Sequence, residues 1–128
     1  MALSKKVTLT VDGYNVKINT PLKFYQNDQL HLIFEIVETT LTVKNGVASR
    51  EVLPINPLNA TLYLETPEGV DSLESAEIVD NTVTFHLTST YTQFVGVSKM
   101  QIVLMDDECC RITLPEFEFE IKKGIFGN

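Results

Sequence analysis

Near the end of the chain, the run Glu116-Phe117-Glu118-Phe119-Glu120-Ile121 changes from carboxylate to large apolar group at every residue. Only an extended strand, whose successive side chains point to opposite faces, gathers Phe117, Phe119 and Ile121 on one side and the three glutamates on the other. The same period of two recurs along the chain. Val7, Leu9 and Val11 alternate with threonines. Leu30, Leu32, Phe34 and Ile36 share a face, as do Leu58, Ala60, Leu62 and Leu64, then Val83, Phe85 and Leu87, then Met100, Ile102 and Leu104.

Turn chemistry separates these runs. Asp12-Gly13 closes a hairpin onto Tyr14, Val16 and Ile18, and an extended piece from Leu22 to Tyr25 ends in the polar turn Gln26-Asn27-Asp28. Pro67-Glu68-Gly69, Asp80-Asn81 and Asp106-Asp107-Glu108 mark further turns. The strand Leu30 to Val37 carries Ile33 and Val37 on its second face, so it is expected to be central and buried on both sides. From Thr39 to Pro57 the alternation weakens around Asn45-Gly46, which predicts a protruding hairpin or long loop. After the acidic turn, Cys110, Ile112 and Leu114 return as a strand, in which Cys110 reads as a small buried hydrophobe. Only Ser89 to Val95 reads as helical, a single turn with Thr90 and Gln93 at capping-box spacing and Gly96 to end it.

Eight clean strands without crossover helices predict antiparallel pairing, and their apolar faces need a second sheet to cover them. The expected fold is therefore all-β, an antiparallel β-sandwich forming a single domain over residues 1–128, with its core at about 5–123 and a tail at 124–128. Composition agrees, since 128 residues with 44% hydrophobic and 21% charged can bury a real core. A net charge of −7 argues against nucleic acid or an anionic membrane surface as partner. The segment after Met1–Lys6 has no apolar signal core, and no stretch approaches the roughly 20 apolar residues of a membrane span, so synthesis in the cytosol is expected. Adjacent Cys109 and Cys110 cannot build a disulfide scaffold.

Chemistry finds little foothold. His31 reads as a satisfied core or sheet residue and His86 as a solvated surface residue, and neither stands in a motif with a nucleophile. The cysteines lack zinc-ligand spacing, and Asp106, Asp107 and Glu108 lack the spaced oxygens of a calcium site, so no metal, no cofactor and no enzymatic activity is expected. Glycines at 13, 46, 69, 96, 124 and 127 stand singly, which excludes a phosphate-cradling loop. Glu116, Glu118 and Glu120 read as a wet outer face. Interaction surfaces remain: Tyr25, Tyr91 and Phe94 lie in turn regions as contact anchors, and Ile125 and Phe126 form an apolar pair outside the strand pattern.

The run Leu22-Lys23-Phe24-Tyr25-Gln26-Asn27-Asp28-Gln29-Leu30-His31-Leu32-Ile33-Phe34-Glu35-Ile36 resembles the early strand, acidic turn and long strand of the N-terminal domain of phage baseplate upper proteins (BppU). Ala60 to Pro67 is similar to the strand leading to that family's P-x-G turn. Asn81 to Leu87 with Thr90 to Gly96, and then Met100 to Ile121, resemble its later segments in the same order, so the likeness spans about residues 5 to 123. The resemblance implies an immunoglobulin-like β-sandwich that attaches adhesion machinery to the tail tip, in contact with the distal tail protein, other baseplate proteins and sibling copies. It also implies a virion location with assembly in the bacterial cytoplasm. The family's helical linker, fibre repeat and receptor-binding domain do not lie within residues 1–128, so the sequence is expected to be either an excised N-terminal domain or a short protein that has kept the docking module. An alternative on the same fold is a carbohydrate-binding module for the host cell wall. That reading would need exposed aromatic platforms, yet the chain has no Trp and only four Tyr.

Overall fold

The computed structural model describes residues 3–12, 15–53, 57–106 and 110–125, with backbone alone at 40–42 and 50–53. Twelve strands form among them: β1 (Ser4–Asp12), β2 (Asn15–Ile18), β3 (Leu22–Tyr25), β4 (Leu30–Lys44), β5 (Val47–Leu53), β6 (Asn59–Thr66), β7 (Gly69–Glu74), β8 (Glu77–Val79), β9 (Thr82–Leu87), β10 (Gly96–Met105), β11 (Arg111–Thr113) and β12 (Phe117–Lys122). One sheet runs β2-β1-β4-β9-β8 with β5 on β4, and the other β3-β12-β10-β6-β7 with β11 on β10. The all-β sandwich expected from the alternation is the observed fold.

The core lies between the sheets and is built from the faces that the alternation marks. Leu9, Phe34, Phe85 and Leu87 come from the first sheet; Leu62, Ile102 and Phe119 from the second. Phe34 ties the layers together, meeting Phe85 of its own sheet edge to face at 6.0 Å and Phe117 of the opposite sheet at 5.6 Å. Burying each such side chain stabilises the fold by about 1.5–3 kcal/mol. Among the described residues no buried side-chain polar atom lacks a hydrogen-bond partner.

The pairing is not antiparallel throughout. β1 runs parallel to β4, with Leu9 beside Ile36, and β12 runs parallel to β3, with Ile121 beside Phe24. Parallel neighbours need a long crossover, which is usually a helix. Here the chain between β1 and β4 folds back as β2, crosses to the other sheet as β3, and returns, so the second layer of the sandwich takes the place of the helix. β4 is central as expected, but among its described side chains only Leu32, Phe34 and Ile36 are buried. Its second face, with His31, Ile33, Glu35 and Val37, is half-buried because no third layer covers it.

Other expectations need correction. The helical reading of Ser89 to Val95 shrinks to a 3-10 turn at Ser89–Tyr91, where the N-cap residue Thr88 makes no side-chain capping bond. Gly96 opens β10 at φ +143, a conformation that L side chains rarely adopt. Cys110 and Ile112 are exposed rather than buried, while Leu114 is buried. Ile112 pairs with the buried Leu104, so its exposure comes from its place in a short strand at the sheet margin, and the register shows a change of parity only after Leu114. Four residues of β10 separate the partners of Ile112 and Phe117, Leu104 and Met100, yet five steps separate Ile112 and Phe117 themselves. The extra residue is a bulge at Pro115, which has no N–H to give to a ladder, and it reverses which parity faces the core. β7 escaped the alternation because it is an exposed edge strand whose Leu73 alone is drawn toward the core. The stretch after Thr39 is a protruding hairpin, as one of its two readings expected. β5 pairs only with β4, from Glu38↔Leu53 to Lys44↔Val47, and residues 43–49 are all exposed.

Candidate functional site

Five chain segments meet at one end of the sandwich. β3 ends there against β12, with Tyr25 beside Lys122. The turn that follows is held by its own backbone and by Asp28, whose Oδ2 accepts the Tyr25 N–H at 2.8 Å while the Asp28 N–H donates to the Tyr25 carbonyl at 3.0 Å. Asn27 takes φ +70, which asparagine tolerates better than most residues. Gln26 N–H donates to the Lys122 carbonyl at 2.8 Å, and its Nε2 donates to the Gln93 carbonyl at 2.6 Å. Asn27 N–H donates to the Thr92 carbonyl at 3.0 Å, and Thr92 Oγ1 returns a bond to the Asp28 carbonyl at 2.9 Å. Thr92 is the buried polar residue of the described chain, and it clasps the β3–β4 turn to the 3-10 segment. His31 N–H donates to the Leu3 carbonyl at 2.9 Å, which brings the start of β1 to the same end.

This end gathers the sequence-proposed contact residues to different degrees. Tyr25 is 54% exposed and Ile125 fully exposed just beyond β12. Tyr91 is half-buried against the core and donates its hydroxyl to the Ser72 carbonyl at 3.3 Å. Phe94 is also half-buried, set edge to face on Phe119 at 5.9 Å. Phe126 lies outside the described residues, as do Asp107, Glu108 and Cys109. Leu3 and Val95 are exposed at this end too and escaped sequence reasoning, since neither sits in a period or a motif. A hollow of about 250 Å³ runs between Glu68 and Asp71 on one side and Thr90, Gln93 and Phe94 on the other.

A larger open groove, about 620 Å³, follows the flank where β2 and β3 meet β12. Its floor includes Leu22, Phe117 and Phe119, and its rim carries Lys23, Lys99 and the glutamates of β12. The glutamates are exposed or half-buried, as a wet face requires, and lysines interleave them: Lys99 stands opposite Glu118 and Lys23 beside Glu120. Lys99 Nζ donates to Glu116 Oε1 at 3.0 Å. That hydrogen bond and the Glu116 charge hold the ammonium above the ordinary lysine range, with Glu65 and Glu118 adding to the effect.

On the outer face of the other sheet, His31 and His86 stand directly opposite each other on β4 and β9. Among the described residues no group of three or more His, Cys, Asp or Glu converges as a metal cluster would, and no helix is long and apolar enough to cross a membrane.

No family model and no curated protein matches this sequence. Among solved structures the chain is similar to the N-terminal domain of phage TP901-1 ORF48, with a TM-score of 0.66 and 18% sequence identity, over 94% of this chain and 99% of that one. At that identity the likeness establishes a shared fold.

Proposed function

We propose that this chain is a structural, non-enzymatic protein of a phage tail tip or baseplate, a module that docks adhesion machinery to the distal tail. The observation that carries the reading is the extent of the structural likeness, which takes in nearly all of both chains and leads to a phage protein's N-terminal domain. The resemblance of residues 5 to 123 to the baseplate upper protein family points the same way. In this reading the partners are the distal tail protein, other baseplate proteins and sibling copies, and assembly takes place in the bacterial cytoplasm.

Docking uses the end of the sandwich where Tyr25 and Ile125 present apolar surface beside the half-buried Tyr91 and Phe94. Aromatic side chains on a hydrogen-bonded platform lose little conformational freedom on contact, which favours them as anchors. A specific interface would bury about 1,200–2,000 Å², and repetition around a symmetric tail would add avidity to modest single contacts. Cryo-electron microscopy of tails assembled with and without this protein tests the reading. Density for a β-sandwich at the tip, lost on deletion, is expected; an unchanged tip refutes it. Retention on host cell-wall polysaccharide together with an unchanged tip would favour the carbohydrate-binding module instead.

A further inference from the structure

The geometry points to a divalent transition-metal site on the outer face of the first sheet, formed by the cross-strand pair His31 and His86. The two residues are direct partners in the antiparallel β4–β9 ladder, and their ring centroids lie 5.0 Å apart with the planes at 84°. A metal bound at about 2.0–2.1 Å to one nitrogen of each imidazole, at an angle between square and tetrahedral, sets the two centroids roughly 4.5–5.2 Å apart. The observed separation falls in that range before any metal is added. The rings stand edge to face, so convergence of both lone pairs on one point needs a rotation about the ring torsion. That torsion is broad for histidine, and the rotation leaves the strand register untouched.

The setting suits an ion that is chelated and still open. His86 is exposed and His31 half-buried, so solvent reaches the pair. Ser4 of β1 stands beside His31, and the next row on this face holds Lys6, Ile33, Thr84 and Glu77. Lys6 is engaged with Glu35 at 3.7 Å rather than with either ring. Two imidazoles held by one ladder act as a chelate, since binding of the first fixes the second at high effective concentration. Imidazole donors select zinc, nickel and copper over magnesium and calcium, and the remaining coordination positions go to water.

Zn(II) added to the untagged full chain, followed through the imidazole C–H resonances by NMR, tests the site. Both histidines are expected to shift with one shared midpoint, and His31→Asn or His86→Asn is expected to weaken binding at least about tenfold by leaving a single ligand. Mg(II) is expected to leave both unmoved. Should His31→Asn fail to fold, His86→Asn decides alone, because its ring is exposed. Separate midpoints for the two rings, or an affinity unchanged in the His86 variant, would overturn the proposal.

Discussion

Thr92 shows how one residue holds the Tyr25 end of the sandwich in shape. Its hydroxyl donates to the Asp28 carbonyl from a position 1% exposed, and its own carbonyl receives the Asn27 N–H. Thr92→Val keeps the shape and removes the donor, leaving the Asp28 carbonyl without that bond. The expected cost is about 1–3 kcal/mol, read as a lower urea midpoint, with amide exchange quickening first at Gln26–Asp28. An unchanged midpoint would mean that the β3–β4 turn is held without it. Lys99 offers a pH test. Because its folded pKa is raised, the contribution of the Glu116 pair is complete below the ordinary lysine pKa and fades as pH climbs through the raised value. Both partners are exposed, so salt should weaken the effect. An NMR titration of Lys99 Nζ is expected to give a lower midpoint in Glu116→Gln than in the native chain, and equal midpoints would contradict the pairing.

At the scale of elements, the β4–β5 hairpin behaves differently from the strands around it. Beyond Thr39, whose hydroxyl still donates to the Val11 carbonyl at 3.4 Å, the ladder leaves the body of the sheet, and the described side chains at 43–49, Val43 and Val47 among them, face water. Two-stranded ribbons are marginal on their own, so this arm draws its order from the long β4 strand that anchors it in the sheet. Replacing residues 43–48 with a two-residue turn is expected to change stability by less than about 1 kcal/mol, because each of the side chains removed faces water. A larger loss in denaturant unfolding would show that the arm covers part of the body. The β11 segment teaches a related lesson. Cys110, Ile112 and Leu114 share one parity in sequence, yet only Leu114 is buried, since β11 lies at the margin; the bulge at Pro115 then resets the alternation before Phe117.

For the whole molecule, the docking reading separates folding from assembly. Tyr25 and Ile125 lie outside the core, so the double variant Tyr25→Ala/Ile125→Ala is expected to unfold within about 0.5 kcal/mol of the native chain. Its incorporation into tails is expected to fall about tenfold or more, measured by quantitative immunoblot of purified particles. Full incorporation would move the docking surface elsewhere on the sandwich. By itself the sequence determined most of the strands and of their inward faces, most of the turns and the two-layer answer, because side-chain alternation and turn preference act between neighbours along the chain. It also offered Tyr25, Tyr91, Phe94, Ile125 and Phe126 as contact residues; Tyr25 and Ile125 are exposed, Tyr91 and Phe94 half-buried, and Phe126 lies outside the described residues. Only the tertiary structure decided that β1 lies parallel to β4 and β12 to β3, that His31 faces His86, and that the β3–β4 turn, the 3-10 segment and the end of β12 share one end. Those are choices among strands far apart in sequence, each offering a similar apolar face, and they are settled by how all the faces pack together at once.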